Sequence, residues 1–123
     1  MKILTITLLL LSFGFASGQT TLIESERAKI NGTWVIENEV ANVWTFTNNN
    51  YCEWRLNGEI IGQFTFSITS EFSQNGIEHT YLKLININNS NEVYEYAINS
   101  IGNYKMTLAT IAPKVSYSHF IKQ

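Results

Sequence analysis

Gln63-Phe64-Thr65-Phe66-Ser67-Ile68-Thr69 decides the fold class. Large apolar side chains at 64, 66 and 68 alternate with four small or polar ones, and side chains two apart share a face in an extended strand. One face of this segment belongs to a core and the other to water. The same period sets Trp34 with Ile36, Trp44 with Phe46, and Cys52 with Trp54 and Leu56. Further along it sets Leu82 with Leu84, Tyr94 with Tyr96 and Ile98, and Met106 with Leu108. A final strand is expected over residues 115–121, with Tyr117, His119 and Ile121 on one face.

Between these segments lie turn-forming residues: Asn48-Asn49-Asn50, Asn57-Gly58, Gln74-Asn75-Gly76, Asn88-Asn89-Ser90-Asn91 and Gly102-Asn103. Asn57-Gly58 is the strongest hairpin signal, because a type I′ turn needs positive φ at both central residues. Pro113, the only proline, falls between the last two strands, where a missing N–H does little harm. Before the first strand the period is helical. Thr21 and Glu24 can form a capping box, and Ile23 and Ile30 fall near one face of a short helix. About eight short strands with short connections predict an all-β domain: an eight-stranded antiparallel up-and-down barrel with a short N-terminal helix. Closure is preferred because an open sheet would leave two exposed edges.

Residues 1–18 have the three zones of an export signal. Lys2 supplies the positive start, residues 3–11 the apolar run, and Ala16-Ser17-Gly18 the small residues before cleavage. The apolar run is about half the twenty residues a spanning helix needs. The expected organisation is therefore a signal peptide over 1–18 and one barrel domain over 19–123, secreted or periplasmic, with no membrane span after cleavage. A domain of this size buries roughly 65% of its unfolded surface, enough for stability without disulfides. Cys52 is the only cysteine, so no internal disulfide can form, and it reads as a small buried hydrophobe or as a thiol that pairs with another chain.

The formal net charge is -2, and losing Lys2 with the leader takes it to -3. The basic residues are scattered singly, which argues against nucleic acid as a partner. All ten acidic residues are glutamates. The absence of aspartate removes Asp-rich calcium loops, aspartic dyads and Asp-dependent triads. His79 and His119 are the only histidines. With no further ligands converging in the sequence, neither a metal site nor a cofactor is expected, and nothing aligns a nucleophile with a base. The protein is read as a non-enzyme. His79 reads as a solvated histidine at a strand start, His119 as packed or at a barrel mouth. The glutamate pairs Glu24/Glu26, Glu37/Glu39 and Glu92/Glu95 read as solvated charge.

Gly32-Thr33-Trp34, following a helical lead-in and opening the first strand, resembles the start of lipocalins and their relatives. Trp44-Thr45-Phe46-Thr47 and Gly62-Gln63-Phe64-Thr65-Phe66 also resemble the short, secreted, lipocalin-like domains of bacteria. The resemblance covers nearly all of residues 19–123. It implies that Trp34 plugs one barrel end and that the interior is a ligand pocket. The chain departs from the pattern in being shorter, in having no Thr-Asp-Tyr motif, and in offering only Lys114 or Lys122 where an arginine would stack on Trp34.

The alternation puts Trp34, Trp44, Phe46, Trp54, Phe64, Phe66, Tyr94 and Tyr96 on the inward face. These are the candidate ligand-binding residues, since aromatics line small-molecule pockets, although they also fill cores. Two readings follow. One is a carrier of a small apolar ligand inside the barrel. The other is a protein-binding module of the cell envelope, or an inhibitor of a secreted enzyme, with a filled barrel and a working surface on loops such as 71–78 or 86–92.

Overall fold

The computed structural model describes residues 21–111 and 114–123; the expected leader and Pro113 lie outside them. The chain opens with helix α1 (Leu22–Ile30), capped as expected, the Thr21 hydroxyl accepting from Glu24 N at 3.1 Å. Ile30 is buried and Ile23 packs against the core, which ties a helix too short to stand alone to the domain. Eight strands follow: β1 (Gly32–Ile36), β2 (Glu39–Phe46), β3 (Tyr51–Leu56), β4 (Glu59–Phe72), β5 (Glu78–Asn86), β6 (Asn89–Ile101), β7 (Lys105–Thr110) and β8 (Tyr117–Lys122).

Each strand pairs antiparallel with the next in sequence, and β8 pairs antiparallel with β1, closing the barrel. Closure is made by Trp34 opposite Lys122, Val35 opposite Ile121 and Ile36 opposite Phe120. Asn57 and Gly58 have φ of 53° and 82°, the two positive values their hairpin needs. Asn38, in the tight connection between β1 and β2, has φ 69°, a turn that the sequence reading did not mark. The β5–β6 turn is made by residues 87 and 88, so β6 starts at Asn89, inside the run expected to be all turn. Register shifts at Val35/Ile36, Trp54/Arg55, Ile85/Asn86 and Ile98/Ser100 bend four of the strand pairs.

The inward positions hold one core of Trp34, Trp44, Phe46, Cys52, Phe64, Phe66, Ile68, Leu82, Leu84, Ile98, Met106, Leu108 and Phe120. Ring centroids 5.2 to 6.3 Å apart join Trp44 to Phe46 and Phe120, and Phe46 to Phe66. The last strand corrects the expectation in two ways. It begins at Tyr117 rather than 115, and its inward face is the other one. Phe120 is 2% exposed while Tyr117 is 59% exposed, because pairing Phe120 with Ile36 and Met106 fixes the register. His119 is consequently neither packed nor at the mouth; it is exposed, with Nδ1 3.0 Å from the Thr107 hydroxyl.

The two barrel ends differ. At the helix end, Trp34 is fully buried and its Nε1 donates to Ile30 O at 2.8 Å. Lys122 Nζ lies 5.2 Å from the Trp34 ring centroid and donates to Lys29 O at 2.9 Å. Gly32, with φ +130°, leaves room for that lysine stem, since a Cβ there would lie 2.7 Å from Lys122 Cε. At the hairpin end are the turns β1–β2, β3–β4 and β5–β6 and the β7–β8 connection. Among the described residues no helix is long and apolar enough to cross a membrane.

Candidate binding site at the hairpin end

The eight aromatic candidates do not form one lining. Trp34, Trp44, Phe46, Phe64 and Phe66 are each 5% exposed or less and fill the barrel. Trp34 belongs to the helix end. The other four fill the interior, Trp44 on Phe46 and Phe46 on Phe66, while Trp54, Tyr96 and Tyr94 are progressively closer to solvent. Trp54 and Tyr96 are half-buried against the core. Tyr94 is 38% exposed and stands at the rim, its ring edge-on to Phe64 at 5.8 Å.

The polar tips of Trp44, Trp54 and Tyr94 are satisfied within the protein. Asn42 Oδ1 accepts from Trp44 Nε1 at 3.0 Å and also from Trp54 Nε1, drawing two indoles 5.5 Å apart onto one acceptor. Across the mouth, Glu92 accepts from Tyr94 OH at 2.5 Å and from Asn86 Nδ2 at 2.8 Å. The carboxylate beside its hydroxyl raises the Tyr94 pKa by holding the neutral phenol. Burial raises that of Tyr96, whose ring meets Trp44 edge-on at 6.0 Å. Both phenols therefore stay neutral donors at ordinary pH.

Strand length makes the opening. β6 runs from Asn89, but its pairing with β7 begins only at Tyr96 opposite Thr110, so residues 89–95 pair with β5 alone. An open groove of about 550 Å³ runs along the gap, lined by Val93, Tyr94, Glu95, Tyr96, Thr110 and Ile111. Apolar side chains gather at this end: Val40, Leu56, Ile60, Ile61, Ile87 and Val115 are 39 to 76% exposed. Residues of this site that the sequence reading missed are Asn42, Glu92 and Thr110. The available signal was a polar residue on inward parity, two positions from Trp44, Tyr94 and Leu108 respectively.

One expectation about charge also fails. Glu26 is 8% exposed and therefore not solvated, because α1 turns it toward the barrel at the opposite end. Cys52 is buried with a free thiol whose pKa burial drives upward, the inert state of a core cysteine. The chain matches no protein-family model, and neither a curated protein nor a solved structure is significantly similar to it.

Proposed function

We propose that the protein is an exported, lipocalin-like up-and-down barrel that binds a small, largely apolar ligand at its hairpin end. The observation that carries this reading is the open groove of about 550 Å³ beside Tyr94, Tyr96 and Thr110, its volume within the roughly 300 to 1,000 Å³ usual for small-molecule sites. The interior below it is occupied by Phe46, Phe66, Leu82 and Met106. The ligand accordingly sits against the Tyr94 and Tyr96 rings rather than in the middle of the barrel. Of the lining hydroxyls, that of Tyr94 already donates to Glu92 and that of Thr110 to Lys114 O, which leaves Tyr96 to meet a polar tip.

Titration with apolar compounds such as dodecanol, read by tryptophan emission, tests it. Trp44 lies 6.0 Å from Tyr96, so occupancy of the groove should shift or quench its emission. Thr110→Trp, which fills the groove, should abolish the response to titration. An apolar panel that leaves the wild-type emission unchanged refutes the proposal.

The exposed aliphatic side chains of the hairpin end favour a second reading, a protein-binding module of the envelope or an inhibitor of a secreted enzyme. In that case the rim rather than the groove does the work. Ile60→Glu would then abolish association with the partner, while Thr110→Trp would leave it intact.

A further inference from the structure

Ile23, Glu26 and Ile30 stand three and four residues apart, so α1 presents them on one face, and that face lies against the barrel beside β4 and β6. Two of the three are apolar. The helical repeat carries Glu26 into the same interface, where it is 8% exposed. Its Oε1 is enclosed and has no hydrogen-bond partner among the described residues. An ionised carboxylate in such a place is costly, because water is removed and no donor replaces it. The groups around it do not make up the deficit. On α1 the half-buried Lys29 favours the charged form. β5 lays Glu78, the exposed His79, Thr80 and Tyr81 beside the helix, and on β4 Glu71 stands opposite His79. From β6 come the uncharged Ala97, Ile98 and Asn99. Burial raises the Glu26 pKa, the Thr80 hydroxyl and Lys29 offset part of the shift, and Glu78 adds to it.

We infer that Glu26 makes the docking of α1 a proton-operated latch: the helix rests on the barrel while the carboxyl is neutral and is released as it ionises. A neutral carboxyl suits the interface, since the Thr80 hydroxyl beside it can both give and accept a hydrogen bond. On release the carboxylate recovers its hydration. The helix is the element that yields, because nine residues are too few to persist alone and peripheral elements open well below the free energy of global unfolding. Its last turn is held by Trp34 Nε1 on Ile30 O and Lys122 Nζ on Lys29 O, so opening withdraws both acceptors and uncovers the helix end of the barrel. The docked state holds the proton more tightly than the released one. Docking is therefore fully favoured below the ordinary carboxyl value of 4.5, weakens as pH rises from there toward the folded value, and is level above it. Between those limits the ratio of released to docked helix rises by up to about tenfold per pH unit.

The test is amide hydrogen exchange read by NMR across the acid and neutral range, with the Glu26 carboxyl carbon followed in parallel. Each exchange rate is divided by the intrinsic rate at that pH, so that it reports the fraction of time the helix is released. The carboxyl should titrate above 4.5, and over the same interval protection of the amides of residues 26–30 should fall by up to about tenfold per pH unit. Protection of Leu82 and Leu84, both in the core, should stay higher throughout. Glu26→Gln, nearly the same shape without the charge, should make helix protection independent of pH. Glu78→Gln should lower the Glu26 midpoint by removing a like charge, and His79→Asn should leave it in place. Should Glu26→Gln not fold, the carboxyl titration and the exchange profile of the parent protein still decide. A Glu26 carboxyl that titrates at its ordinary value, helix protection that does not follow it, helix amides as protected as Leu84, or a pH dependence that survives in Glu26→Gln or disappears in His79→Asn would each overturn the assignment.

Discussion

Lys122→Met isolates what holds the helix end shut. The methionine keeps most of the apolar stem beside Gly32 and removes the ammonium that donates to Lys29 O at 2.9 Å and lies 5.2 Å from the Trp34 centroid. A hydrogen bond from a charged donor contributes about 1.5–3 kcal/mol, and Lys29 O, in the last turn of α1, is at the negative end of the helix dipole. Lys122 is half-exposed, so water returns part of that and the lower limit applies. The cation–π contact adds about 0.5–1 kcal/mol at such exposure. Together they come to about 2 kcal/mol, which for a domain of about 100 residues lowers Tm by roughly 8–16 °C. Urea unfolding followed by far-ultraviolet circular dichroism should show a lower midpoint with an unchanged slope. Lys122→Arg should keep most of the stability. A Lys122→Met protein within about 0.5 kcal/mol of the parent would show that the ammonium is only a solvated surface charge.

Gly62→Ala would put a Cβ 2.6 Å from Cε2 and Cζ of Phe64, a ring already 2% exposed and stacked edge-on to Tyr94. Overpacking of this kind costs about 1–3 kcal/mol, read as a lower urea midpoint; no change would mean that the ring moves aside freely. The Cys52 thiol should resist dithionitrobenzoate in the native protein at pH 8 and react once urea unfolds the chain, and fast native reaction would contradict its burial. Burial raises that thiol above its ordinary value of 9.0. The folded state therefore keeps the proton while the unfolded chain loses it, and stability should fall as pH rises above about 9. Cys52→Ala should flatten that decline, and parallel curves for the two proteins would refute the linkage.

Strand pattern and closure could be read from residues 63–69 and their counterparts because an inward face repeats every second residue wherever one side is buried. Asn57-Gly58 announced its turn because few other pairs accept positive φ at both positions. The inward face of β8 was not legible because Tyr117, His119 and Ile121 stand against one phenylalanine on the opposite parity, and only the partner strands could decide between the faces. Glu26 was misread for a similar reason: a nine-residue helix with two basic residues and two glutamates looks polar all round until its docking is known. Of the hairpin-end site, the aromatic lining followed from alternation. The groove did not, since it arises from a thirteen-residue β6 beside a six-residue β7, and the register between them is a long-range property.

Three residue pairs between β1 and β8 complete the cylinder, and they join segments that lie farther apart along the chain than any other two neighbouring strands. The other seven pairings can zip locally from hairpins, but this one must gather almost the whole polypeptide before it yields any contact. The nascent chain thus remains an unsealed sheet until its final strand arrives.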